Sequence, residues 1–263
     1  MMDLAVLSTY ENTQIYYEEK GNGNPPILLI HGVTNSHLTF DQEFEWMSKE
    51  HLVVRYDLRG HGDSSKSEKY TLDDHIHDGI ALITRLGLRN VILLGESLGS
   101  YIAQGIAVKR PDLLSKLILV VPASHGEGSS FGKVQREHAH ELIGKTSDEA
   151  FRILFKYVIH TPSRLDPIVE QTLQHDHLSV TQKQAAIQSI TRFDFREDLP
   201  KIELPTLVIS GKFDNLNPPD LGKEVSDLIP DAQFIEFDNE GHLLRLENPE
   251  RFKRVISKFL NIS

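Results

Sequence analysis

The stretch that decides the fold is VILLGESLGSYIAQGIAV, residues Val91 to Val108. Four apolar residues, Val91 to Leu94, run directly into Gly95-Glu96-Ser97-Leu98-Gly99, and a helix-like pattern follows at once. An apolar run of this kind reads as a strand covered on both faces. A strand that reverses straight into a helix forces its turning residue into a strained, positive-φ conformation. Side chains two positions to either side would collide with the turn, and Gly95 and Gly99 occupy those positions. The turn holds the Ser97 hydroxyl above the sheet at a helix N-terminus, where developing negative charge is favoured. The spacing G-x-S-x-G is that of an exposed serine nucleophile. In that arrangement the backbone N–H of Leu98 points at the oxyanion.

Working outward, short apolar runs alternate with longer amphipathic ones. Leu4 to Ser8 and Ile15 to Glu19 read as an opening hairpin. Pro26 to Ile30, Leu52 to Tyr56, Leu117 to Val121, Leu207 to Ser210 and Phe234 to Phe237 read as further strands. Helical patterns fall at Thr39 to Lys49, Leu72 to Leu86, Ser97 to Lys109, Asp220 to Leu228 and Glu250 to Leu260. Thr71 and Asp74 form an N-terminal capping pair for the second of these, and Pro111 ends the third. This alternation argues for a doubly wound α/β fold, a mostly parallel eight-stranded sheet flanked by helices. The rhythm breaks between residues 124 and 199, where helical patterns follow one another with no clear strand. That segment reads as an all-helical insertion. It is entered through Gly126-Glu127-Gly128-Ser129-Ser130, and Gly126, Gly128 and Gly132 permit a hinge. The expected organisation is a core of residues 1–123 and 200–263 carrying a lid at 124–199.

Composition narrows the function. The 263-residue chain carries 28 Lys and Arg against 38 Asp and Glu, a net charge of −10, which argues against a nucleic-acid partner. Its longest apolar stretches are only a few residues, so no membrane span is expected, and the first residues carry no basic, then apolar, leader pattern. The chain has no cysteine, which excludes disulfides, thiol catalysis and thiolate metal ligands. A cytoplasmic location fits. A homodimer is compatible with the sequence but not indicated by it.

A serine hydroxyl is weakly nucleophilic and needs a base, which in turn needs an orienting acid. At a sheet of this kind the expected chain order is serine, acid, histidine. The chain has 13 histidines, and position must choose among them. His75, His77, His138, His140, His175 and His177 fall within helical patterns and fail on position. His242 lies in DNEGHLLRLENPE, between the last strand and the last helix, at the same sheet edge as Ser97. The acid should follow an earlier strand at that edge, and TLVISGKFDNLNP supplies Asp214. Glu127 and Asp238 are poorer placed. The loop His31-Gly32-Val33-Thr34-Asn35-Ser36 follows the Pro26 to Ile30 strand, and the Val33 N–H is the expected second oxyanion donor. His31 itself reads as a structural, hydrogen-bonded residue.

Together, HGVTNS, DLRGHGDSS at Asp57 to Ser65, GESLGS, GKFDNLNP and EGHLLRLENPE resemble the α/β-hydrolase superfamily, specifically its compact serine-hydrolase group with a helical lid. The resemblance covers nearly the whole chain. It implies Ser97, Asp214 and His242 as nucleophile, acid and base, Val33 and Leu98 as oxyanion donors, and no cofactor. It also implies that the Asp57 loop is architecture and that the lid forms the pocket. Where many relatives have two glycines closing the turn, Gly99 is followed here by Ser100, which is small enough to be tolerated.

Leu216 and Leu243, with the lid residues Phe155 and Tyr157, are the expected substrate-binding side chains; Leu98 and the lid aromatics Phe131, Phe151, Phe193 and Phe195 are further candidates. They argue for a mainly apolar pocket that takes a small or medium acyl group. No arginine pair demands a charged substrate, with Arg136 and Arg245 left open. Lactone hydrolysis, carbon–carbon bond hydrolysis, cofactor-free perhydrolysis and a signal sensor that binds a partner through its lid remain alternatives. The pairs His75/His77, His138/His140 and His175/His177 do not form a metal site, because helix positions two apart point about 200° away from each other.

Overall fold

The buried strands alternate their side chains between two apolar layers. Leu28, Ile30, Val54, Tyr56 and Leu93 pack into one core, and Ile27, Leu29, Val53, Ile92 and Leu94 pack into the other. This period of two, with both faces apolar, is what a sheet sandwiched between helices requires. The computed structural model describes residues 5–127, 130–175 and 178–262. In chain order, β1 (Ala5–Ser8), β2 (Gln14–Lys20) and β3 (Ile27–Ile30) precede α1 (Asp41–Met47). Next come β4 (Val53–Tyr56), α2 (Leu72–Arg85), β5 (Val91–Glu96), α3 (Leu98–Lys109) and β6 (Leu114–Val120). The segment between the sheet halves holds β7 (His125–Gly126), α4 (Ser130–Glu137), α5 (Ser147–Phe155), α6 (Pro162–His175), α7 (Val180–Ser189) and β8 (Phe193–Asp194). The chain closes with β9 (Thr206–Gly211), α8 (Pro219–Leu228), β10 (Ala232–Phe237), α9 (Leu244–Glu247) and α10 (Pro249–Leu260).

Among the described residues the main sheet has eight strands in the order β1-β2-β4-β3-β5-β6-β9-β10. The β1–β2 and β2–β4 pairs are antiparallel and the rest parallel. Residues of α2, α3 and α8 fill one core, and those of α1 and α10 fill the other. Strand order reverses around β3 and β5, so the loops after β3 and β5 diverge at the carboxyl edge, where crevices form in sheets of this type. No helix among the described residues is long and apolar enough to cross a membrane.

Most expected elements appear within a few residues of their predicted bounds, and Thr71 and Asp74 make a reciprocal capping box on α2. Three expectations need correction. The helix expected from Thr39 begins as a 3-10 turn at His37–Phe40 before α1. The strand expected at Leu117 starts at Leu114; Lys116 interrupts its apolar run, and its ammonium reaches the Phe259 carbonyl at 2.9 Å. The segment between β6 and β9 is not all-helical, because β7 and β8 pair antiparallel at its base. A two-residue ladder is too short to leave a periodic signal. Gly126 belongs to that ladder: a Cβ there would stand 2.6 Å from the Phe193 ring, so its bareness serves close packing. Gly132 lies within α4, and Gly128 lies outside the described residues.

Beneath the carboxyl edge lies a row of buried imidazoles. His31 and His61 have ring centroids 5.3 Å apart, and His61 and His75 6.2 Å. His31 Nδ1–H donates to the Gly32 carbonyl at 2.8 Å, while its Nε2 accepts from the Leu58 N–H at 3.1 Å. His61 repeats the arrangement with the Arg59 carbonyl at 2.9 Å and the Thr34 N–H at 3.2 Å. A second proton on either ring would sit against an N–H. Burial pushes His31 down to about 4 and His61 down to about 3, and it pushes His75 well below the ordinary histidine value. The unfolded chain therefore takes up protons near pH 6.5 that the folded protein refuses, so stability is full above that pH and falls as pH drops towards 4. The urea midpoint is expected to decline across this window, with each refused proton adding a slope of about 1.4 kcal/mol per pH unit. Equilibrium unfolding of His75→Leu should show a shallower decline.

Candidate active site

Ser97 adopts φ 54° and ψ −118° between β5 and α3. A Cβ on Gly95 would stand 2.1 Å from the Gly99 carbonyl oxygen, and one on Gly99 would stand 1.9 Å from the Ile30 carbonyl oxygen. Both glycines are therefore compelled by backbone contact. The second contact also presses the turn against the end of β3 and the loop carrying Gly32 and Val33. Ser100 fits because its hydroxyl turns back and donates to the Ser97 carbonyl at 2.6 Å. Leu98 begins α3, so its N–H has no partner one turn earlier. Its side chain is fully buried in the core rather than at the pocket mouth. Val33 is half-buried and lines the same cavity as Ser97.

The loops after β9 and β10 meet through another close approach. A Cβ on Gly211 would lie 2.2 Å from the Gly241 carbonyl oxygen. His242 Nδ1–H donates to Asp214 Oδ2 at 2.7 Å. The other carboxylate oxygen, Oδ1, accepts from the N–H groups of Leu216 at 2.8 Å and Asn217 at 2.9 Å. The carboxylate is thus fixed by its own turn before it meets the imidazole. The His242 N–H donates to the Val158 carbonyl at 2.8 Å, which ties the loop to the helical segment. Burial opposes a charged His242. The charge and hydrogen bond of Asp214, with the charges of Glu96 and Glu247, outweigh it and lift the imidazole above its ordinary value.

Arg245, three residues beyond His242, was an open candidate for substrate contact. It is instead 1% exposed and locked below the site. Its guanidinium donates to the Thr39 carbonyl at 2.9 Å, the Thr39 hydroxyl at 3.0 Å, Glu43 at 3.1 Å and Glu96 at 3.2 Å. One side chain therefore binds the segments that follow β3, precede Ser97 and carry His242. Sequence reasoning missed this clamp; its one signal was a lone cation within the apolar run LLRLE.

Ser97, His242 and Gly32 to Asn35 open on a cavity of about 340 Å³. The expected residues Leu216, Leu243 and Phe155 line it, as do Phe131 and Phe151. Tyr157 does not: it stacks on His138 with centroids 3.5 Å apart and donates to Glu141 at 2.5 Å. Phe193 and Phe195 pack on the main core. Those three aromatics are structural: Tyr157 finds its partners within the helical segment, and Phe193 and Phe195 find theirs in each other and the main core. Of the histidine pairs, His75 is buried against Tyr70 while His77 faces Asp73, and His177 lies outside the described residues. His138 precedes and His140 lies within the 3-10 turn Ala139–Leu142, so the pair does not sit on one α-helix, and His138 bonds Glu141.

The sequence profile described as alpha/beta hydrolase fold matches residues 25–249. A relative named uncharacterized hydrolase YugF, from Bacillus subtilis, is 24% identical, over 96% of this chain and 96% of that protein. The (E)-2-((N-methylformamido)methylene)succinate hydrolase of Acinetobacter baylyi is 26% identical, over 97% of each. A solved hydrolase from Pseudomonas aeruginosa superposes with a TM-score of 0.85 at 25% identity, covering 98% of both chains.

Two outcomes follow from the geometry. In an NMR titration the His242 imidazole should protonate above pH 6.5 in the native protein and at a lower pH in Asp214→Asn, where only the charges of Glu96 and Glu247 still oppose burial. Arg245→Met strands two buried carboxylates and should lower the unfolding free energy by about 3–5 kcal/mol, measured in urea.

Proposed function

The chain belongs to the alpha/beta hydrolase fold family, and from that membership we propose a serine hydrolase that cleaves a small or medium, mainly apolar carboxylic ester through an acyl-enzyme on Ser97. The observation that carries the proposal is the buried 2.7 Å contact between His242 and Asp214, with His242 and Ser97 on the wall of one cavity. His242 Nδ1 is committed to Asp214, which leaves Nε2 as the free base. His242 takes the Ser97 proton as the serine oxygen attacks the ester carbonyl. The N–H groups of Val33 and Leu98 hold the oxyanion. His242 returns the proton to the departing alcohol, then draws one from water to release the acid. Asp214 keeps the imidazole in the required tautomer and stabilises its charged form.

Residues 124–199 act in this scheme as the lid, with 1–123 and 200–263 as the core. The apolar wall offered by Phe131, Phe151, Phe155, Leu216 and Leu243 supports an apolar acyl group. The Acinetobacter baylyi relative, named as a hydrolase, supports the reaction class.

A fluorophosphonate should add once, at Ser97, as read by mass spectrometry. Ser97→Ala should lose both the adduct and p-nitrophenyl butyrate turnover, on the order of a million-fold in rate. The base works only when neutral, so kcat/KM should fall as pH drops through the raised His242 pKa, with an acid limb centred above pH 6.5. A protein with no adduct, or with an adduct elsewhere, does not use this mechanism.

A further inference from the structure

Glu247 closes α9, five residues beyond His242, and is 4% exposed. Its carboxylate accepts three backbone N–H groups. Oε1 takes that of Gly241 at 2.9 Å, and Oε2 takes those of His160 at 2.9 Å and Thr161 at 2.8 Å. Gly241 immediately precedes His242, while His160 and Thr161 belong to the strap between α5 and α6. Buried carboxylate oxygens must find donors, and these donors are main-chain groups whose direction the fold fixes. A single buried side chain therefore joins the loop of the candidate base to the helical segment.

The join is close as well as polar. A Cβ on Gly241 would stand 2.5 Å from the Val158 carbonyl oxygen, 3.0 Å from the His160 nitrogen and 3.2 Å from Glu247 Oε1. Only a bare backbone fits that seam, and the next N–H along, that of His242, donates to the same Val158 carbonyl. Apolar packing follows the same line. Ile159 is buried with Phe155, Ile168 and Val169, and Leu243 and Leu246 pack on that cluster. The core of the helical segment is thus completed by residues that follow the base. The acid is held differently. Asn217 Nδ2 donates to the Tyr101 oxygen at 2.7 Å and to the Val121 carbonyl at 2.6 Å, which ties the Asp214 turn to α3 and to the end of β6. Its contact with the strap, from Asn215 Nδ2 to the Tyr157 carbonyl at 2.9 Å, is exposed. The acid's turn is anchored in the core, whereas the base's loop is anchored in the helical segment.

We propose that Glu247 is a positioning residue for the base: by seating residues 158–161 of the helical segment against Gly241, its carboxylate fixes the His242 imidazole where it meets both Asp214 and Ser97. The inference rests on His242 acting as the base. The helical segment then does more than wall the cavity, because its seating is a condition for a competent Asp214–His242 pair. Glu247 also lends charge to the imidazole, so its effect on position must be separated from its effect on charge.

Two variants make that separation. Glu247→Asp keeps the charge but is one methylene too short to hold Gly241 and the strap together. Glu247→Gln removes the charge and puts an NH2 group where an acceptor is needed. Each is read by amide exchange at Gly241, His160 and Thr161, by NMR titration of His242, and by fluorophosphonate labelling on the alkaline plateau, where the imidazole is neutral in every protein. In Glu247→Asp the three amides should exchange faster together, His242 should titrate at a lower pH as its contact with Asp214 loosens, and plateau labelling should slow by about 10- to 100-fold. Glu247→Gln should be slowed at least as much. Faster exchange with an unmoved titration and wild-type plateau labelling makes Glu247 a structural tie alone and overturns the proposal. A loss confined to Glu247→Gln is an effect of charge and overturns it too. If Glu247→Asp fails to fold, Glu247→Gln decides alone on the plateau, where full-rate labelling overturns the proposal. Absence of labelling in the wild type would instead defeat the assignment of Ser97, and the His242 titration, which needs no turnover, would still decide the role of Glu247.

Discussion

The contact between Gly99 and the Ile30 carbonyl sets the distance between the ends of β3 and β5. A Cβ on Gly99 would lie 1.9 Å from that oxygen, so only a bare backbone lets the start of α3 touch the neighbouring strand. That approach brings Ser97 beside Gly32 and Val33, with a Cβ on Gly32 only 3.5 Å from the Ser97 Cβ. It also imposes the positive φ of Ser97, a conformation that costs about 1–3 kcal/mol and persists only when its surroundings over-determine it. Those surroundings are the flanking strands β3 and β6, paired along β5, and the two core layers they fill.

Each of the other loops at this edge is held by a different force. Asp214 is fixed by hydrogen bonds within its own turn, before any contact with His242. The His242 loop hangs from the helical segment at Val158 and from Arg245 below. Arg245 is the costlier anchor, because a guanidinium and two carboxylates leave water together. Such a cluster gives little net stability but makes the loss of any one member expensive. The negative charges around His242 exceed what its burial can offset, and its basicity is the result. Structural cohesion and the tuning of the candidate base therefore come from overlapping groups.

The core and the turn around Ser97 were legible because their signals are local. Apolar runs with period two, a glycine two residues to either side of Ser97, and Asp214 and His242 directly after strands all follow from backbone geometry over a few residues. The helical segment was legible only in outline. Its two-residue strands leave no period, and nothing in the chain distinguishes Phe155, which lines the cavity, from Tyr157, which stacks on His138. An aromatic ring serves a pocket or a core equally well, and its neighbours in space choose between them. Arg245 makes the same point for charge: in sequence it stood as a candidate for an anionic substrate, and in the fold its partners are Glu43 and Glu96, 202 and 149 residues away.

The chain by itself determined the α/β class, the order of the strands along it, and the candidate serine, acid and histidine, since each depends on residue type and short spacing. Tertiary structure alone decided the tautomer and basicity of His242, the clamp on Arg245, the bridge from Asn217 to Tyr101 and Val121, and the identity of the cavity wall. Those features depend on distances between segments far apart in the chain. Hydrogen bonds and burial depend on distance and surroundings, and no local pattern encodes either.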